Sequence, residues 1–206
     1  MKITLLAITA LFAATTFTPA SVYAQDSQGI MPGQDMPMVR PMRNATTGGE
    51  ADFKTAAGKN GLLVMFSCNT CPFVVRNQET TKRTMEYAAQ NGVGMIIINS
   101  NEAKRSEDDS YDAMKTYAKK SGYNVPYVID ADSKLADAFG ATHTPEIYLF
   151  NNKGKLVYKG AMNDNPGDPK SAKKMYIEDA ISAMTAGKTI DPQVTKSVGC
   201  SIKRKA

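Results

Sequence analysis

Two cysteines three positions apart, Cys68 and Cys71, carry the strongest chemical signal in the sequence. They lie between a continuous apolar run at residues 62–66 and a segment of helical periodicity that begins at Pro72. Unpaired N–H groups and the dipole at a helix start stabilise a thiolate, and a thiolate is the attacking species in disulfide exchange. The pair therefore predicts redox chemistry in which Cys68 attacks and Cys71 resolves the mixed disulfide. A structural zinc site is a weaker alternative, since no second cysteine pair exists, and so is a purely structural disulfide, since it would close a very short loop.

Apolar patterning places this pair in an alternating series of strands and helices. The order βαβαβαββα implies an α/β protein with a central, mixed but mostly parallel sheet flanked by helices, and a late hairpin adds an antiparallel edge. Residues 100–110 are polar and charged and predict a surface loop. The predicted strands are residues 62–66, 93–99, 125–129, 146–150 and 156–159.

Thr144 and Pro145 form a second signal directly before the strand at residues 146–150. Taken alone they predict a trans bond, because only about 5–6% of X–Pro bonds in folded proteins are cis. The order and spacing of these features, however, resemble the thioredoxin fold over residues 61–186. That resemblance implies a cis-proline loop facing the cysteines, with Thr144, Pro145, Asn69 and Thr70 lining a substrate groove.

Two short motifs refine this resemblance, Ser67-Cys68-Asn69-Thr70-Cys71-Pro72 and Gly199-Cys200-Ser201-Ile202-Lys203. Together they resemble exported bacterial thioredoxin-like proteins of the redoxin (AhpC/TSA-like) group. The resemblance implies a thiol–disulfide oxidoreductase acting as a reductase, with no cofactor beyond the Cys68–Cys71 disulfide. It also implies a disulfide-bearing protein substrate and a membrane thiol electron donor.

Departures from related patterns separate the alternatives. Thioredoxin has a buried acid six residues before its first cysteine, where this chain has Leu62, so another group or water must move the proton. Gly61 and Met65 stand where peroxiredoxins carry Pro and Thr or Ser, which disfavours a thiol peroxidase but keeps it as an alternative.

Cys200 and His143 are possible accessory residues. Cys200 is a bystander, a neighbour that relays to or guards the active pair, or a link to another chain. His143 is the only histidine, and it is either structural or close to Cys68. The main alternative function is copper binding and delivery through Cys68, Cys71 and His143, which a resemblance to the copper-delivery proteins of this fold implies, since those proteins have two cysteines and a histidine near the sheet edge. The preferred interpretation includes no metal.

The first residues of the chain predict export, and the charge of its last residues explains the basic balance without a nucleic-acid partner. Residues 1–24, with Lys2, an apolar run and a small-residue ending, predict a signal peptide and a periplasmic location; an uncleaved anchor is the alternative. Residues 25–60 predict a flexible Met/Gly/Pro-rich leader. Residues 61–186 predict the thioredoxin-like domain, and residues 187–206 a basic tail with Cys200. Most of the net charge of +5 belongs to this tail, so a basic nucleic-acid-binding face on the fold is not indicated.

Overall fold

The computed structural model describes residues 29–205; the predicted signal peptide lies outside them. Within that range, no helix combines the length and the apolar character that a membrane span requires. The strands are β1 (Met42–Arg43), β2 (Glu50–Ala51), β3 (Gly61–Ser67), β4 (Val93–Asn99), β5 (Tyr127–Ile129), β6 (His143–Thr144), β7 (Glu146–Asn151), β8 (Leu156–Gly160) and β9 (Cys200–Ser201). The α-helices are α1 (Phe53–Ala56), α2 (Pro72–Arg76), α3 (Gln78–Gln90), α4 (Tyr111–Ser121), α5 (Lys134–Phe139) and α6 (Tyr176–Thr185).

A five-stranded sheet of order β5-β4-β3-β7-β8 forms the centre of the molecule. The β3–β4 and β4–β5 pairs are parallel, whereas the β3–β7 and β7–β8 pairs are antiparallel. The predicted α/β class and mixed sheet are confirmed, but the sheet is half rather than mostly parallel. The late hairpin inserts β7 beside the central strand instead of adding only an outer edge.

Alternating side chains of β3 supply both halves of the core, because successive residues of a strand face opposite sides of a sheet. Leu63 and Met65 pack with residues of α3, α4 and α6. Leu62, Val64 and Phe66 pack with residues of α1 and α5 on the other face. Strand β3 is buried along its whole length, so the end of this strand is a rigid base for Cys68.

The helix after the cysteine pair is broken in two, whereas the periodicity predicts one helix. Asn77, between α2 and α3, is buried, and its Nδ2 donates to the carbonyl oxygens of Phe73 and Pro166, each at 2.8 Å. This amide ties the break to the segment after β8. The first of the two helices, α2, is short; it begins at Pro72 and has Cys71 as its N-cap residue.

Residues 29–60 are packed on the domain, so the predicted flexible leader is wrong for this stretch. Strands β1 and β2 form an antiparallel pair, and the N–H of Ala45 donates to the carbonyl oxygen of Tyr127 at 2.7 Å. Few residues here are apolar, but Met42 and Phe53 are buried against the sheet. Burial of a few well-placed side chains together with backbone hydrogen bonds orders a segment whose average composition indicates disorder.

Residues 187–205 also pack on the domain and do not form a free tail. Ile190 and Ile202 are buried. Main-chain hydrogen bonds join Lys159 on β8 to Gln193 and Thr195. The predicted boundary at residue 186 therefore cuts through a single packed unit.

The Phe53→Leu variant tests whether residues 29–60 unfold together with the domain. Phe53 is 5% exposed and packs edge-to-face on Phe139, with ring centroids 5.9 Å apart. We expect the substitution to lower the free energy of unfolding by at least about 1 kcal/mol, because it removes the aromatic pair and leaves part of the ring's volume unfilled. Chemical denaturation measures the loss. Met38→Ala is the control, since Met38 is 98% exposed; equal stability of both variants would contradict the packing.

Candidate active site

The two cysteines lie between the end of β3 and the start of α2, and both sulfurs are inside the protein. Cys68 is 2% exposed and Cys71 is 3% exposed. Because α2 begins at Pro72, the N-cap position belongs to Cys71 and not to Cys68. Cys71 makes no side-chain capping hydrogen bond, but the Val74 N–H of the first turn lowers the pKa of this second cysteine, contrary to the sequence-based expectation for the first.

Thr144 contacts both sulfurs from the loop before β7. Its Oγ1 lies 3.4 Å from Cys68 Sγ, and its carbonyl oxygen lies 3.2 Å from Cys71 Sγ. The Thr144–Pro145 peptide bond is cis, as the fold resemblance implies and as the two residues alone do not. Thr144 thus contacts both members of the cysteine pair, and Pro145 follows it directly in the chain.

Cys200 joins the pair from the far end of the chain. Strand β9 pairs antiparallel with β6, with Cys200 opposite Thr144 and Ser201 opposite His143. The Sγ atoms of Cys200 and Cys71 are 2.7 Å apart. Of the three interpretations of Cys200, the structure places it as the neighbour of the active pair.

The three sulfurs lie in one cluster, and their thiols differ in pKa. Interaction with the Cys68 thiol lowers the pKa of Cys71 to about 4, against the effect of burial, with further support from Cys200 and the Val74 N–H. Interaction with Cys71 and burial raise the pKa of Cys68, and burial and Cys71 raise the pKa of Cys200 to about 11. The Thr144 carbonyl oxygen accepts from Cys71 Sγ and favours its protonated form, whereas the interactions with Cys68 and Cys200 favour the thiolate.

A buried carboxylate, Asp109, fixes the loop that carries the pair, and sequence reasoning missed it. It accepts hydrogen bonds from the Asn69 N–H at 2.9 Å and from the side-chain amides of Asn99 and Asn101 at 2.7 and 2.9 Å. Its charge also contributes to the raised pKa of Cys68. The polar composition of residues 100–110 predicts a surface loop. In the structure, however, Asp109 of this segment lies by the carboxyl end of β4, where its hydrogen bonds also reach the residues that follow β3.

Asn69 belongs to this buried network and does not line an open groove as predicted. Its Nδ2 donates to the carbonyl oxygen of Asp108 at 2.7 Å, and its Oδ1 accepts from the Tyr127 hydroxyl at 2.9 Å. Thr70 is exposed, whereas Thr144 and Pro145 are buried. Of the four predicted groove residues, only Thr70 is therefore open to solvent.

The side chain of His143 makes a hydrogen bond within its own loop. Its backbone N–H donates to Glu146 Oε2 at 3.0 Å, and its Nδ1 lies 2.8 Å from Thr142 Oγ1. Within residues 29–205, no cluster of three or more His, Cys, Asp or Glu residues is arranged to hold a metal ion. The predicted alternative of a Cys68–Cys71–His143 copper site is therefore not assembled here.

Comparison with known proteins identifies the family. The Redoxin family model matches residues 31–176. The chain belongs to the redoxin family. Thiol-disulfide oxidoreductase ResA of Bacillus subtilis (strain 168) is 24% identical to this redoxin-family protein over 147 residues, covering 71% of this chain and 76% of the relative. The match to the Redoxin family model begins at residue 31, within the segment that the sequence predicts to be a leader.

Solved structures agree with this relationship. An uncharacterized conserved protein from Geobacillus kaustophilus superposes with a TM-score of 0.76 and 31% identity, covering 85% of this chain and 93% of that one. A thioredoxin-like protein in its oxidized form superposes with a TM-score of 0.57 and 20% identity, covering 80% and 99%. The predicted thioredoxin-like fold and the predicted enzyme class, thiol–disulfide oxidoreductase, are confirmed.

The charge on Cys71 gives a prediction for the reduced protein. We expect a thiolate absorbance near 240 nm to persist at neutral pH and to disappear on acidification through a pKa of about 4. The reason is that interactions with the Cys68 and Cys200 thiols lower the pKa of Cys71. Cys71→Ser is expected to abolish this transition. A titration whose lowest midpoint lies near 9, the ordinary value for a thiol, would contradict the charge distribution.

Proposed function

We propose that this redoxin-family protein is an exported disulfide reductase that acts on extracytoplasmic polypeptides through Cys68 and Cys71. The observation that carries the proposal is the placement of both sulfurs, almost fully buried, against Thr144. Exposed or strained disulfides have more oxidising potentials. A pair enclosed in this way favours a lower potential, which suits a reductant.

The geometry supports a two-step exchange. The Cys68 thiol loses its proton to water, and the Cys68 thiolate attacks one sulfur of the substrate disulfide. The leaving substrate thiolate takes a proton from water. The Cys71 thiolate then attacks the Cys68 sulfur, which releases the second substrate thiolate and leaves the Cys68–Cys71 disulfide. Water moves the proton in place of an acid at the position of Leu62, and Cys71 needs no base because its lowered pKa keeps it a thiolate.

Two further parts of the proposal come from the sequence. Residues 1–24 have the pattern of a signal peptide, which supports export to the periplasm. A membrane thiol protein then restores the two electrons that each substrate removes. This donor is the class of partner that an exported reductase requires, since its compartment is kept oxidising.

One observation favours a second candidate, an oxidant or isomerase. The lowered pKa of Cys71 stabilises the reduced form, and stabilisation of the reduced form makes a pair more oxidising. Burial and thiolate stabilisation thus act on the potential in opposite directions.

The reduction potential of the Cys68–Cys71 pair decides between the two candidates. We propose measuring it in the Cys200→Ser variant by equilibration with thiol–disulfide buffers, with Ser201→Ala as the control for changes in the last strand. A potential near or below about −250 mV would support the reductase, and one near about −120 mV would support the oxidant. Failure to form the Cys68–Cys71 disulfide at any buffer ratio would overturn both.

A further inference from the structure

The end of the chain lies as an added strand on the loop that faces the cysteines. Strand β9 pairs with β6, and the Ile202 N–H extends the contact by donating to the Thr142 carbonyl oxygen at 3.0 Å. Gly199 allows this approach, because a Cβ at this position would lie 2.0 Å from the Thr144 carbonyl oxygen. The segment thus lies across the face of the pair that a substrate must reach.

Contacts on both sides of the fold hold the strand in place. Ile202 is 6% exposed and packs in the core cluster that contains Phe139. The Lys203 N–H donates to Asn101 Oδ1 at 2.8 Å. Arg204 Nε lies 2.7 Å from Asp137 Oδ1, and this guanidinium also donates to the Ala141 carbonyl oxygen at 2.7 Å. These anchors fix the position of Cys200, which lies directly before them.

We propose that Cys200 is a third redox cysteine, which exchanges into the active-site disulfide and moves the oxidised bond from Cys68–Cys71 to Cys71–Cys200. The proposal rests on the redox-active pair of the proposed function. It is carried by the 2.7 Å separation of the Cys71 and Cys200 sulfurs, against about 2.05 Å for a formed disulfide. Cys200 is also the most accessible of the three thiols, since it is half-buried and the other two are buried.

The exchange balances without an added oxidant or reductant. The Cys200 sulfur attacks Cys71 Sγ, the Cys71–Cys200 bond forms, and the Cys68–Cys71 bond breaks with its electron pair leaving on Cys68. The proton of Cys200 passes to Cys68, whose raised pKa in the reduced network is consistent with a sulfur that holds its proton. The result frees Cys68 and brings the oxidised bond to a half-buried position that an electron donor can reach.

Tryptic mapping of the full-length oxidised protein distinguishes the two disulfides. Cleavage after Lys59 and Arg76 releases residues 60–76, which hold both Cys68 and Cys71, and cleavage after Lys196 and Lys203 releases residues 197–203 with Cys200. A Cys68–Cys71 disulfide stays within one peptide, whereas a Cys71–Cys200 disulfide joins the two. After oxidation and rapid thiol blocking, we expect both species in the wild type. In Cys68→Ser we expect the joined peptides alone.

A further variant tests whether the position of the third thiol in β9 matters for the joined peptides. The double variant Cys200→Ser, Ser201→Cys keeps one thiol in the strand but moves it to the opposite face, and we expect no joined peptides. Absence of joined peptides in both the wild type and Cys68→Ser, while the Cys68–Cys71 disulfide forms normally, would overturn the role of Cys200 alone. Absence of the Cys68–Cys71 disulfide in Cys200→Ser would instead overturn the proposed function.

Discussion

Removal of Cys68 is expected to abolish disulfide reduction, with a loss of at least about a thousandfold in turnover. The physical reason is that the attack on substrate and the first bond to it both belong to this sulfur. We propose comparing Cys68→Ser and Cys71→Ser, each in the Cys200→Ser background, so that no third thiol can substitute. Reduction of insulin disulfides with a supplied dithiol measures the turnover.

The two variants also test the order of attack. With Cys71→Ser, a mixed disulfide between Cys68 and the substrate is expected to accumulate, because the resolving thiol is missing. With Cys68→Ser, no such adduct is expected. Mass spectrometry of the blocked adducts reports both. An adduct on Cys71 in place of Cys68 would reverse the order and would agree with the low pKa of Cys71 as the property that selects the attacking sulfur.

The Asp109→Ala variant is expected to lose about 3 kcal/mol of stability, because three buried donors lose their acceptor. These donors are the Asn69 N–H and the side-chain amides of Asn99 and Asn101. Chemical denaturation gives the change in the free energy of unfolding. Asp108→Ala is the matched control, since Asp108 is the exposed neighbour and only its backbone carbonyl binds Asn69.

A second readout separates the charge of Asp109 from its structural role. The carboxylate raises the pKa of Cys68, so its removal is expected to increase the rate at which Cys68 is alkylated at pH 8. The rate is measured in the Cys71→Ser, Cys200→Ser background, with Asp108→Ala again as the control. Equal stability of the Asp109→Ala and Asp108→Ala variants would contradict the buried network.

Local pattern accounts for the part of the structure that the sequence predicts well. The apolar run of β3 and the helical periodicity after the cysteines are short-range signals. The strand is reproduced in the fold, and the helical segment is reproduced as two helices, α2 and α3. The cis-proline loop needed the family resemblance, because only the tertiary structure brings Thr144 to the cysteines. These signals together were sufficient for the fold class and the enzyme class.

The features that the sequence did not predict share a different cause, because each depends on contact between distant parts of the chain. Cys71 and Cys200 are 129 positions apart, and no local pattern reports that their sulfurs meet. Asp109 resembles its exposed neighbours in type and differs only in what surrounds it. Residues 29–60 contain too few apolar side chains to predict order on average, but the positions of Met42 and Phe53 decide their packing.

The segments that flank the predicted domain have a consequence for self-association. An outer strand presents unpaired N–H and C=O groups on which another chain can template a strand. In this protein Asn44 forms an antiparallel bridge with Val128 on β5, and Val194 forms a parallel bridge with Lys159 on β8. Each outer strand of the central sheet is therefore partly covered by a piece of its own chain. A second copy that extends the sheet must first displace these pieces, so the flanking segments guard the folded protein against edge-to-edge aggregation.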